Sequence, residues 1–149
     1  MIATTRRELD VPLETRSLAP MRDFVRDALS SSGLSTRTAR AMVIAIDEAC
    51  SSIILNAKEH GATGNLHLSI DIDPTRVKVH VADTGNDYDM GELTREELLR
   101  EFTRSKKNEL GTFLIRRIVD EFTYAFKKGF QSELTMIKFL FDRDADDKN

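Results

Sequence analysis

Residues 66–83 read Leu66-His-Leu-Ser-Ile-Asp-Ile-Asp-Pro-Thr-Arg-Val-Lys-Val-His-Val-Ala-Asp83. Leu66, Leu68, Ile70 and Ile72 alternate with His67, Ser69 and Asp71, and beyond Asp73, Pro74 and Thr75 the residues Val77, Val79 and Val81 alternate again. Successive side chains of a strand point to opposite faces, so a period of two on both sides of a turn predicts an antiparallel hairpin with one apolar face. Pairing around the Pro74 turn sets His67 opposite Ala82 and His80 opposite Ser69 on the polar side. With His60 these are the three histidines of the chain; their spacing is not that of metal ligands, and they read as surface residues.

The pattern changes on either side of the hairpin. Upstream, Leu9, Val11 and Leu13 alternate weakly across Glu8 to Leu13, a first strand entering near Pro12 at a sheet edge. Met21, Phe24, Val25, Ala28 and Leu29 then recur at helical spacing from Leu18 to Leu29, and the run Ser30, Ser31, Ser32, Gly33 stops them. Ser35 or Thr36 can cap a longer second helix whose core stripe is Val43, Ile46, Cys50, Ile53, Ile54 and Ala57. Downstream, Thr84 to Asp89 reads as a loop, Leu93 to Phe102 as a short charged helix and Thr103 to Leu110 as a basic irregular stretch. Gly111 opens a helix carrying Phe113, Leu114, Ile115, Ile118 and Val119. Two further strands follow, one with Phe122, Tyr124 and Phe126, the other with Leu134 and Met136 and reaching Lys138 to Phe141. The acidic segment 142–149 is expected to be a disordered tail. This order of elements makes a single α/β domain over residues 1–141, a two-layer sandwich with helices on one face of a mostly antiparallel sheet.

Bulk properties narrow the function. A chain of 149 residues holds one domain with a proper core. Its 40% hydrophobic and 32% charged composition is that of a globular protein, and the absence of Trp disfavours base-stacking surfaces. A net charge of −3 argues against nucleic acid as the main partner, because counterion release needs a basic face. The single cysteine, Cys50, cannot form an internal disulfide. No apolar run reaches the ~20 residues that span a bilayer, and the charged start is not signal-like, so a cytoplasmic protein without a membrane partner is expected.

Three places could carry chemistry. Glu48, Ser52 and Asn56 recur at every fourth position of the second helix and form one polar row, bordered by Ala41, Ala45 and Ala49, small residues that would let another group approach. Such a row suits a solvated helix face equally well. Asp83 ends a buried strand and Gly85 follows it, where a carboxylate can accept a hydrogen bond from a ligand amine and a glycine permits a tight turn. A lone Asp-x-Gly is also an ordinary turn signal. Gly111 at a helix start, preceded by Arg104, Lys106 and Lys107, suits an anion, or else an exposed loop.

In order and spacing, Ala45-Ile-Asp-Glu-Ala-Cys-Ser-Ser-Ile-Ile-Leu-Asn56, Asp83-Thr-Gly-Asn-Asp-Tyr-Asp89 and Gly111-Thr-Phe-Leu-Ile-Arg-Arg-Ile-Val-Asp-Glu121 resemble the N, G1 and G2 boxes of the GHKL (Bergerat) fold. The specific resemblance is to the bacterial anti-sigma-factor serine/threonine kinases, and it runs from the first strand to Phe141. It implies ATP and Mg²⁺ as cofactors, a sigma factor and a small anti-anti-sigma (STAS-type) antagonist as partners, and a homodimer. By the same resemblance, Glu48 is the catalytic carboxylate that activates a partner's serine hydroxyl, Asp83 binds the adenine amino group, Gly85 shapes that wall, and Gly111 lies at the lid hinge beside the phosphates.

This chain departs from the family pattern at three positions. Ser52 stands where the family has its Mg²⁺-binding asparagine, and a hydroxyl is shorter and a poorer ligand. Asp87 and Glu109 replace glycines of the two loops. Carboxylates there face the path of a triphosphate, and like charges ~4 Å apart repel by about 4 kcal/mol at an effective dielectric of 20 and about 1 kcal/mol in bulk water. The expectation is a regulator that binds its protein partners, with phosphorylation of the antagonist weakened; the alternative is a fully active Mg·ATP-dependent kinase.

Overall fold

The computed structural model describes residues 2–59, 61, 63–84, 115–127, 131–141 and 144–145. In chain order its elements are β1 (Thr5–Pro12), a 3₁₀ turn (Thr15–Ser17), α1 (Leu18–Ser30), α2 (Thr36–Glu59), β2 (Asn65–Asp73), β3 (Arg76–Thr84), β4 (Glu121–Lys127) and β5 (Gln131–Phe139). The alternating run is the β2–β3 hairpin, in the register expected from its turn: Leu68 faces Val81, His67 faces Ala82 and His80 faces Ser69. Residues 115–118 are helical, within the helix expected after Gly111. The expected helix of residues 93–102 and the loops around it lie outside the described residues.

The strands form one sheet in the order β1-β2-β3-β5-β4, with every neighbouring pair antiparallel. The inward face carries Leu66, Leu68, Ile70, Ile72, Val77, Val79, Val81, Leu134 and Met136, each at most 2% exposed. Against it α1 buries Met21, Val25, Ala28 and Leu29, and α2 buries Met42, Ile46, Cys50, Ile53, Ile54 and Ala57. The result is the two-layer α/β sandwich expected. Ala45 and Ala49, read as small residues bordering a ligand-facing row, are instead fully buried in the core. At these positions the small side chain packs within the protein.

Local chemistry explains the helix limits. The Ser31 hydroxyl donates to the Asp27 carbonyl at 2.7 Å and the Ser32 hydroxyl to the Leu29 carbonyl at 2.6 Å, taking carbonyls that a continued helix would have bonded. Gly33 follows at φ 89°, a conformation disfavoured for residues with a Cβ. At the start of α2, the Ser35 hydroxyl oxygen accepts the Thr38 amide at 3.1 Å, which makes Ser35 the N-cap of the two candidates, Ser35 and Thr36, that the sequence allows. Two residues of the segment expected to be a disordered tail are docked here. The buried Asp144 carboxylate accepts the Thr38 hydroxyl and the Phe141 amide, each at 2.8 Å, the Ser35 amide donates to the Asp144 carbonyl at 2.8 Å, and Ala145 bridges to Leu34.

The outward face of the sheet is polar and partly paired. His67 Nδ1 lies 2.9 Å from Asp10 Oδ1 and its Nε2 3.3 Å from Glu8 Oε1, while His80 contacts Glu133. At the hairpin turn, Asp73 Oδ1 accepts the Thr75 amide at 2.7 Å, the Thr75 hydroxyl at 2.6 Å and the Arg76 amide at 3.0 Å. The hydroxyl of Thr75 is the main cause, and its amide the second, of an Asp73 carboxyl held below its ordinary value. A depressed folded-state pKa adds stability above the unfolded value of about 3.9, and that contribution is lost as pH falls through the folded value. Asp73→Asn keeps the acceptor oxygen and removes the charge. Urea titrations are expected to show it less stable than the parent at pH 7, by a fraction of the ~1 kcal/mol of a typical hydrogen bond. The difference closes as the pH is lowered below about 4; a difference constant with pH would rule this account out.

Candidate functional site

Glu48 and Ser52 stand one turn apart on α2, the first half-buried and the second 7% exposed. Helical geometry puts the two side chains on one face. Asp83 is the fourth inward position of β3, continuing the ladder Val77, Val79, Val81, and faces Leu66 of β2. It is 1% exposed, and α2 packs against its strand. A carboxylate so deeply buried requires hydrogen-bond donors around it, which sets Asp83 apart from an ordinary turn aspartate. Both Ser52 and Asp83 make polar interactions within the protein. Gly85 and Gly111 lie outside the described residues, as do Asp87, Glu109, Arg104, Lys106 and Lys107.

One charged neighbour escaped the sequence reading. Arg22, on α1, donates its Nε–H to Asp47 Oδ1 at 2.5 Å, directly beside Glu48 in sequence. Its pKa is raised, chiefly by that hydrogen bond and the Asp47 charge, with a smaller contribution from Glu48. Glu48 therefore sits in the field of a fixed cation from the other helix. Nothing in the spacing announces this, because the two residues meet only when α1 packs on α2.

The donor chemistry can be weighed against a nucleotide and its metal separately. A buried carboxylate at a strand end suits an amino group such as that of adenine, where it would be a strong and directional acceptor. The metal side fits poorly. Within one turn of Glu48 on its own row of α2 the oxygens described are that carboxylate and the short Ser52 hydroxyl, Asp47 being paired with Arg22, and the described residues contain no group of three or more His, Cys, Asp or Glu able to hold an ion.

No helix among the described residues is long and apolar enough to cross a membrane. The family model for the histidine kinase-like ATPase domain matches residues 11–138, a span that begins in β1, ends in β5 and contains Glu48, Ser52, Asp83, Gly85 and Gly111. The serine-protein kinase RsbW of Halalkalibacterium halodurans is 27% identical over 146 residues, covering 95% of this chain and 87% of its own length. The serine-protein kinases RsbW of Bacillus thuringiensis (strain Al Hakam) and Bacillus cereus (strain 03BB102) are each 24% identical over 126 residues, covering 82% of this chain and 78% of their own.

Proposed function

Because the chain belongs to the histidine kinase-like ATPase domain family, we propose that it is a cytoplasmic partner-switching regulator that binds a sigma factor and a small anti-anti-sigma antagonist, with serine phosphorylation of the antagonist weakened. The observation that carries the second half is Ser52, a buried hydroxyl one turn beyond Glu48 on α2, at the position where the family has its metal-binding asparagine. ATP, when bound, supplies the phosphoryl group. Asp83 would hold the adenine amino group, Gly85 would shape that wall and Gly111 would hinge the chain beside the phosphates. Glu48 would take the proton of the antagonist's serine hydroxyl, a role that needs an ionised carboxylate within hydrogen-bond reach.

A homodimer belongs to the same reading, and β1, the edge strand at one side of the sheet, leaves backbone groups available for pairing. The second reading is a fully active serine/threonine kinase, favoured by the half-buried placement of Glu48 next to the Arg22–Asp47 pair. Glu48→Ala is expected to leave the sigma-factor complex intact in a pull-down with purified host sigma factors, while any transfer of label from ATP to the antagonist disappears. If that one change abolished sigma binding, protein binding and phosphotransfer would share a surface, contrary to the proposal.

A further inference from the structure

A groove of about 590 Å³ opens between the C-terminal half of α1 and the N-terminal half of α2. Leu34, Ala39, Val43 and Ile44 give it an apolar lining, and Arg26 and Arg40 stand one on each helix. Ile44 is 47% exposed at the groove, and with Leu55 at 48% further along it is one of two large aliphatic side chains that α2 leaves in solvent. The arginines differ from their neighbours. Arg7 and Arg22 are paired with Asp27 and Asp47, whereas Arg26 and Arg40 have no ion pair among the described residues. The surface thus combines exposed apolar area with two flanking guanidinium groups that have no ion pair among the described residues.

Those features select a chemistry. An apolar channel between two helices receives the side chains of one face of a third helix, read at i, i+3, i+4 and i+7. Guanidinium forks on both walls then favour carboxylates along the edges of that face, because arginine binds carboxylates bidentately and desolvates more readily than lysine. A nucleic acid strand would find two cations, Arg26 and Arg40, among the described lining residues, over an apolar floor in a chain of net charge −3. We propose that this groove docks an acidic amphipathic helix of a partner protein. The site is remote in sequence from Asp83 and the glycine motifs, needs no nucleotide, and does not depend on the sigma-factor reading.

The test uses the full chain and a synthetic fluorescent helix with leucine at i, i+3, i+4 and i+7 and glutamate at its flanks, followed by anisotropy without nucleotide. The expected result is saturable binding, weaker by tenfold or more, about 1.4 kcal/mol, for a peptide with the same leucines and lysine flanks. Arg26→Glu combined with Arg40→Glu is expected to reverse that preference, and Ile44→Ser to weaken both peptides. The charge-matched pair Arg16→Glu and Arg76→Glu, at exposed positions elsewhere, should change nothing. Unchanged circular dichroism and melting of the Ile44→Ser protein keep the loss of binding separate from a loss of fold. Absence of binding to the glutamate peptide, equal affinity for the two peptides, or a preference that survives Arg26→Glu/Arg40→Glu would overturn the proposal. Sedimentation showing that the same double variant removes self-association would give the groove to a second copy of the chain and equally overturn it.

Discussion

Truncating Leu68 to alanine is expected to lower the free energy of unfolding by about 2–5 kcal/mol, the range for deleting a fully buried leucine side chain. Leu68 is 0% exposed, faces Leu9 on one neighbouring strand and Val81 on the other, and lies under the helix layer. A cavity there is enclosed by a paired sheet on both sides and cannot collapse cheaply. Against a total stability of roughly 5–15 kcal/mol for a domain, this single change removes a large share. Lys78→Ala, at the position next to Val77 but on the outward face of the same hairpin, should stay within about 0.5 kcal/mol. Urea titration with an unchanged m-value measures both. A loss under about 1 kcal/mol for Leu68→Ala would mean that the apolar face of the hairpin is not the packed one.

The second large effect concerns the metal side of the nucleotide site. Ser52→Asn is expected to strengthen Mg·ATP binding on the order of tenfold, equivalent to ~1.4 kcal/mol, by restoring a carboxamide oxygen one turn after Glu48. Opposing this, the serine is only 7% exposed, and a larger side chain in a packed setting costs about 1–3 kcal/mol of stability. Calorimetric titration of both proteins, each with Mg²⁺ and again with chelator, separates the effects. The metal account requires the gain to vanish with chelator; an equal gain in both conditions would assign it to packing. Low-micromolar Mg·ATP affinity in the unsubstituted protein would remove the case for a weakened kinase altogether.

Glu48, Ser52 and Asp83 could be picked out before any coordinates because each sits on a strong local period: two of them on the helix repeat of α2, the third on the strand repeat of β3. Their separate environments could not. The helix repeat treats Ser52 and Glu48 as equivalent members of a polar row, whereas packing buries the first and leaves the second half-exposed. The same repeat cannot tell that Ala45 and Ala49 face the core. Arg22 joins Asp47 across 25 residues, and Asp144 reaches Thr38 across 106, so neither contact leaves a trace in any short window.

Periodicity and turn chemistry by themselves determined the hairpin register, a cap at Ser35 or Thr36, the stop after Ser30 and the two-layer class, since each depends on side chains a few residues apart. The motif spacing equally marked Glu48, Asp83, Gly85 and Gly111 as the candidate nucleotide residues. Only the tertiary structure decided that β5 inserts between β3 and β4, that the acidic segment is tied to the start of α2 at Asp144, and that an arginine-flanked groove opens between α1 and α2. These depend on which apolar faces meet over long separations, a choice made by the total burial of the whole core and not by the sequence of any one element.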